Sequence, residues 1–289
     1  MPPRHRFPMN KYQALAQQLI EGGLVAEMAA FHRPIRASRA WLEMGHDAAY
    51  VAAVLDGRLS EADQRKIGFK INDAIALRSR MSASGTLLAG RLALEFGVAA
   101  NTAGGSHHAD RGEGAGFCVF NDVGVAASML LAEGAVSQIL VLDLDVHQGD
   151  GTARIFANEP RVFTASIHCE QNWPRRKAAS DLDIGLERET GDDGYLAVLA
   201  ETLPDLIERV KPDLVFYNAG VDPHTDDRLG LLCLSDEGLT ARETYVARTV
   251  MDAGIALCGV LGGGYGDDPS QIAARHSVMF KAFARAMPS

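Results

Sequence analysis

From residue 97 onward the chain alternates short apolar runs with amphipathic stretches, and the runs tend to stop at glycines, acids or histidines. The runs near 98 to 101, 138 to 145, 162 to 168, 213 to 218 and 255 to 261 are nearly continuous in apolar residues, as strands buried on both faces are. Helical periodicity fills the stretches near 121 to 133, 150 to 157, 193 to 210, 236 to 253 and 269 to 286. Strand and helix taking turns predict βαβ units, a parallel sheet and helices on both faces of it. The first hundred residues read differently. They predict helices over 11 to 30, 47 to 55 and 60 to 96, the last opening on a capping-box-like Ser60 and Asp63 and stopping at Gly97. The expected fold class is α/β, a doubly wound parallel sheet in one domain spanning residues 1 to 289. No Pro/Ser/Gly-rich spacer, charge block or repeat interrupts the alternation.

Composition narrows the function. A net charge of −9 without a basic stripe leaves nothing to neutralise a phosphate backbone, so no nucleic-acid partner is expected. An acidic surface would tolerate a cationic substrate. The four cysteines, Cys118, Cys169, Cys233 and Cys258, are far apart and form no C-x-x-C pair, which argues against a disulfide scaffold and a thiolate zinc site. The opening MPPRHRFPMNKY lacks an apolar core, and no stretch approaches the ~20 apolar residues of a membrane span. A cytoplasmic protein without membrane contact is the expectation.

The chemistry gathers in four segments. ILVLDLDVHQGDG, residues 139 to 151, is a buried-strand pattern ending in Asp143, Asp145, His147 and Asp150. In open α/β sheets, sites form at such carboxyl ends. Alternate positions 143, 145 and 147 of an extended chain point to one side, a geometry suited to a divalent metal with mixed oxygen and nitrogen ligands such as zinc, iron(II), manganese or cobalt. Asp150 before GTARIF also reads simply as a helix start. TAGGSHHADRGEGAGFCVFND places tandem His107 and His108 in a glycine-rich loop that can wrap a pocket, although adjacent histidines are also common on solvated surfaces. DLVFYNAGVDPHTDDRLG releases Asp222 at the end of another strand, as a third ligand or as an ordinary turn before Pro223. Asp226, Asp227 and Arg228 read as a local salt-bridged loop. In GIALCGVLGGGYGDD, Tyr265 follows three glycines. Its uncharged phenol could donate to a developing oxyanion, or its ring could merely pack on neighbours.

In this order, GGSHHA, GFCVFND, DLDVHQGDG, NAGVDPHTDDRLG and GGGY resemble the histone deacetylase family of metal-dependent amidohydrolases. The resemblance covers roughly residues 80 to 285, and more weakly the HRFPMNKY segment. Gln148, where many relatives have a second histidine, and the short length look most like the class IV branch and its bacterial relatives. The resemblance implies Asp145, His147 and Asp222 as ligands of a zinc ion, or of Fe2+ or another divalent metal. It implies His107 and His108 as the tandem histidines, with His108 as general base and later acid. Asp143 and Asp150 match the acids that orient those rings, and Tyr265 the oxyanion donor. Gly116 and Phe117 match the tunnel that receives an acyl-lysine protein or peptide substrate. A structural potassium ion is implied near Asp143, Asp145, His147, Ser166 and Ile167, and Arg6 aligns with an arginine buried behind the metal.

The implied reaction is N-acyl-lysine hydrolysis. Ser106, where relatives often carry an aromatic residue, suggests a wider pocket and acyl groups longer than acetyl. Alternatives are an acetylpolyamine hydrolase, an arginase-like ureohydrolase with two manganese ions, and a metal-holding interaction module without catalysis.

Overall fold

The computed structural model describes residues 5–287. Six strands, β1 (Val98–Ala100), β2 (Ile139–Asp143), β3 (Val162–Cys169), β4 (Leu182–Leu186), β5 (Leu214–Asn218) and β6 (Ala256–Val260), form one sheet in the order β1-β6-β5-β2-β3-β4, with every pairing parallel. Ten α-helices lie among the described residues. They are α1 (Lys11–Glu21), α2 (Arg39–Gly45), α3 (Ala48–Leu55), α4 (Glu61–Ile67), α5 (Asp73–Phe96), α6 (Asp122–Ala132), α7 (Asp150–Phe156), α8 (Asp192–Val210), α9 (Asp236–Asp252) and α10 (Pro269–Ala286).

Why the central strands are apolar at every position follows from what covers them. Successive side chains alternate between faces. Leu140 and Leu142 of β2, with Val215 and Tyr217 of β5, pack on one side with Leu15, Leu199, Val246 and Phe283 from α1, α8, α9 and α10. Ile139 and Val141, with Leu214 and Phe216, pack on the other side with Leu87 of α5 and Leu130 of α6. The doubly wound single domain expected from the alternation is the fold observed.

Several element boundaries differ from expectation, each for a local reason. The first helix stops at Glu21, because Gly22 and Gly23 follow and Gly23 takes a left-handed φ of 73°. The helix expected over 60 to 96 divides: α4 ends on left-handed Gly68, and Asn72 caps α5 by accepting from the Ile75 N–H. Helix α2 and strand β4 were not foreseen. β4 is an edge strand with only its last residue buried, so its side chains lack the apolar run that marks β2 and β5.

The strand order fixes where chemistry can gather. From β2 the chain runs outward through β3 to β4, then returns to β5 and continues to β6. The topological switch point therefore lies between β2 and β5, where such sheets open a crevice at their carboxyl ends. Asp143 and Asn218 stand side by side there, in register as the last residues of their strands.

Candidate active site

Just past that switch point the backbone leaves the sheet in turns held by its own side chains. The Asp145 N–H donates to Asp143 Oδ1 at 3.1 Å and the His147 N–H to Asp145 Oδ1 at 3.0 Å. The strand thus ends two residues earlier than expected, and Asp143, Asp145 and His147 do not share one extended face. Asp145 and His147 join Asp222 from the β5 loop, while Asp143 turns to His107. His147 Nδ1 lies 3.0 Å from Asp145 Oδ1 and 3.1 Å from Asp222 Oδ2, and one ligand atom from each of the three residues falls within 4.8 Å of the others. Asp145 Oδ2 also accepts the Gly263 N–H at 2.7 Å, and Asp222 Oδ1 the Val146 N–H at 2.9 Å. A Cβ on Gly263 would overlap Asp222 Oδ2, so the triple-glycine run is what lets that loop close on the carboxylates.

The trio is buried and anionic. Burial opposes protonation of His147, yet the two flanking carboxylates overcome it and push the ring up to about 10. Burial likewise opposes charge on Asp145, but His107 and His147 hold it well below the usual carboxylate range. Two carboxylates and an imidazole in one negative field, with oxygen and nitrogen donors together, fit a divalent transition metal.

Beside the trio stand the tandem histidines, each backed by an acid. His107 Nδ1 donates to Asp143 Oδ2 at 2.7 Å and His108 Nδ1 to Asp150 Oδ1 at 2.8 Å, while the two Nε2 atoms lie 3.0 Å apart. Burial works against protonating either ring, and their surroundings then separate them. The Asp143 and Asp145 carboxylates raise His107 to about 9, whereas burial and the adjacent His107 drop His108 to about 3. A neutral His108 with its proton on Nδ1 presents a lone pair at Nε2. Asp150 begins α7, as a helix-start reading requires, yet the same carboxylate holds His108 and accepts from Arg154 at 2.7 Å.

Of these groups His108 and His147 reach the floor of a cavity of about 330 Å³. Its walls are Gly116, Phe117, Trp173 and Tyr265. Gly116 and Phe117 both take left-handed φ, 52° and 67°, and their N–H groups donate to the carbonyls of Lys66 and Ile67. A bulky residue held there is strained, as residues at ligand-facing positions often are. The turn sets the Phe117 ring 5.9 Å from that of Tyr265. Tyr265 is buried, and burial together with Asp222 and Asp145 keeps its phenol well above its ordinary pKa, so it remains a hydrogen donor. Its N–H donates to Asp227 at 2.6 Å. Asp227 therefore anchors the tyrosine loop, while Asp226 pairs with Arg275 and Arg228 with Asp267, so the expected local salt bridges among Asp226, Asp227 and Arg228 are replaced by pairs to the region of α10.

Ser166 and Ile167 are buried on β3, with Ser166 in register with Asp143. Arg6 does not lie behind the metal trio. It is exposed and lines the cavity mouth, whereas the buried cations in that region include Lys11, whose Nζ donates to the carbonyls of Gly262 and Gly264 at 3.2 and 3.4 Å, and Arg242, which donates to the Leu144 carbonyl at 3.2 Å. Other site groups escaped the sequence reading. Asn218 Nδ2 donates to Asp143 Oδ1 at 2.9 Å, and the Trp173 ring meets His108 edge-on at 4.3 Å. Asn218 was legible as a polar residue closing an apolar strand, and Trp173 as a lone aromatic in the charged run EQNWPRRK. An apolar cavity of about 450 Å³ beside β1 and α10 contains no such convergence of acids and histidines.

Comparison with known proteins agrees with this geometry. The histone deacetylase domain matches residues 5–280. An uncharacterised protein of Picosynechococcus is 46% identical over 98% of this chain and 94% of its own. Histone deacetylase 2 of Arabidopsis thaliana is 29% identical over 93% of this chain and 72% of its own. A probable deacetylase of Methanothermobacter thermautotrophicus is 31% identical over 70% and 63%. The crystal structure of the HDA15 HD domain superposes with a TM-score of 0.80 at 21% identity, covering 97% of this chain and 82% of that one, a likeness of fold. With the family domain spanning nearly the whole chain, this protein belongs to the histone deacetylase family.

Proposed function

We propose that the chain hydrolyses N-acyl-lysine amides in proteins or peptides, with zinc as its divalent metal. The observation that carries this is that His147 of the buried Asp145, His147 and Asp222 trio reaches one cavity together with His108 and Tyr265. Binding alone has no use for the last two. Asp145, His147 and Asp222 would hold the metal, which when bound polarises the amide carbonyl and makes water a better nucleophile.

The chain's own residues do the rest. Phe117 and Trp173 flank the aliphatic stem of the lysine. His108, neutral and fixed by Asp150, takes the proton of the attacking water at Nε2 and later returns one to the leaving amine. His107, fixed by Asp143, supplies positive charge beside it. Tyr265 donates its phenol hydrogen to the developing oxyanion. We further assign a structural potassium ion to the oxygen atoms of Asp143, Asp145, His147, Ser166 and Ile167, buried residues around the end of β2, where Asp143 is in register with Ser166 of β3. Carboxylate, hydroxyl and carbonyl oxygens are the ligands that hard cations take. A cytoplasmic setting accords with the unpaired cysteines, and no helix among the described residues is long and apolar enough to cross a membrane.

Ser106 suggests acyl groups longer than acetyl, but the space beside it supports the opposite reading. Behind the histidines, around Ser106, the enclosed space is about 30 Å³, room for about one or two water molecules. Such a space favours short acyl groups. Fluorogenic peptides bearing acetyl, butyryl, octanoyl and myristoyl lysine, alongside acetylated putrescine and spermidine, test this: kcat/KM is expected to be highest for acetyl or butyryl and to fall steeply beyond. Highest activity on myristoyl lysine would overturn the short-acyl assignment, and highest activity on an acetylated polyamine the lysine assignment.

A further inference from the structure

We propose that the site takes acidic peptide segments, with an Asp or Glu next to the acyl-lysine held at the cavity mouth by Arg6, Arg175 and Arg176. This rests on the deacylase reading and specifies its substrate class. The chain as a whole is acidic, with 37 acidic residues against 28 lysines and arginines. The mouth inverts that balance. Apart from His108 and His147 at the floor, the charged residues lining the cavity are Arg6 and Lys66, and no carboxylate lines it.

The two cations are not equivalent. Lys66 already pairs with Glu113 at 2.5 Å, which discharges it. Arg6 is exposed and makes no ion pair among the described residues. Arg175 and Arg176 follow two residues after the wall, beyond Trp173 and Pro174. Both are exposed, and neither makes an ion pair among the described residues. By backbone reach they lie within about 11 Å of the Trp173 Cα. Arg6 thus lines the opening, and Arg175 and Arg176, which do not line it, stand within side-chain reach of its wall, all three without an ion pair among the described residues.

A bound peptide brings its own charges to the same place. With the lysine stem between Phe117 and Trp173, the flanking residues stay outside, each about 3.5 Å further along the chain. Positions one and two residues from the lysine thus fall within reach of long arginine side chains. A carboxylate there gains a charge-assisted, bidentate partner. A lysine or arginine there, or the free ammonium groups of an acetylated polyamine, meets like charge.

Exposed ion pairs each contribute about two- to five-fold, so the combined preference should reach about ten-fold at low salt. The test uses acetyl-lysine peptides identical except for Glu, Gln or Lys at both adjacent positions. Within each protein the kcat/KM ratio of the Glu peptide to the Lys peptide is measured. Wild type is expected to give about ten or more, shrinking toward one in about 0.5 M salt as screening takes over. The variant carrying Arg6→Glu, Arg175→Glu and Arg176→Glu should invert the ratio, and Arg6→Gln alone should lower it. A wild-type ratio near one, or a best rate on the Lys peptide, overturns the proposal while the Gln peptide shows that the deacylase works. Hydrolysis of none of the three peptides overturns the deacylase reading, and this inference with it.

Discussion

The floor of the cavity and its mouth are built on different terms. On the floor, acids and rings hold one another and the backbone. Asp143 takes hydrogen bonds from the Asp145 N–H, Asn218 and His107, and Asp145 takes them from the N–H groups of His147 and Gly263. These groups are buried on strand ends at the centre of the sheet. At the mouth, Arg6 is exposed, and Trp173 keeps 40% of its surface open on a loop. Reacting groups need fixed geometry, which rigid elements supply, whereas recognition can be placed on loops that change without disturbing the core. Substitutions on the floor should therefore act on kcat and metal content, and substitutions at the mouth on the choice of substrate.

The largest effect should come from the trio. Asp222→Ala removes one of the three proposed ligands and leaves His147 with a single carboxylate partner. Purified wild type is expected to carry about one transition metal per chain in this site, and the variant almost none. Activity should fall by at least a thousandfold, since a polarising metal supplies several kcal/mol of charge stabilisation. Full metal content with unchanged activity would move the metal elsewhere, and two manganese ions per wild-type chain would break the contrast between a single-metal floor and its mouth.

Tyr265→Phe sharpens the same contrast. Only a phenol oxygen and its hydrogen disappear, and the ring can still pack against Phe117. The expected loss is about 100- to 1,000-fold in kcat, the effect of removing one oxyanion donor, with KM and metal content little changed. A change confined to KM would place Tyr265 with the walls rather than the floor.

How much of this was legible in the sequence follows the same division. The metal trio and its neighbours were readable because they follow apolar strands: Asp143 closes β2, and Asp145, His147 and Asp222 lie within four residues of a strand's end. Phe117 was found through its motif, while Trp173 and Lys11 were not singled out, since loop conformation and helix docking decide what they touch. The left-handed backbone at Phe117 and the burial of Lys11 against the Gly262 and Gly264 carbonyls depend on tertiary contacts that no local period encodes. The same holds for β4, an edge strand whose exposed positions erase the apolar signature.

The smallest effect concerns the support of the wall. His46, at the end of α2, is buried and neutral: Nδ1 donates to the Asp110 carbonyl at 2.7 Å, and Nε2 accepts the Asn121 N–H at 2.9 Å. It thereby ties both ends of the segment that carries Gly116 and Phe117. Protonation would destroy the acceptor, and burial lowers the pKa from 6.5 to about 4. The unfolded chain then binds more protons between those values, so acid favours unfolding. This contribution to stability is whole above pH 6.5, declines as the pH falls, and is gone below about 4. At 1.36 kcal/mol per pH unit it is worth roughly 3 kcal/mol. Urea midpoints between pH 7 and 4.5 should fall more steeply for wild type than for His46→Gln, whose amide oxygen can still accept from Asn121 but does not titrate. Equal slopes would mean that His46 stays neutral without cost, and that the wall draws its hold from the core around Tyr50 and Phe120 instead.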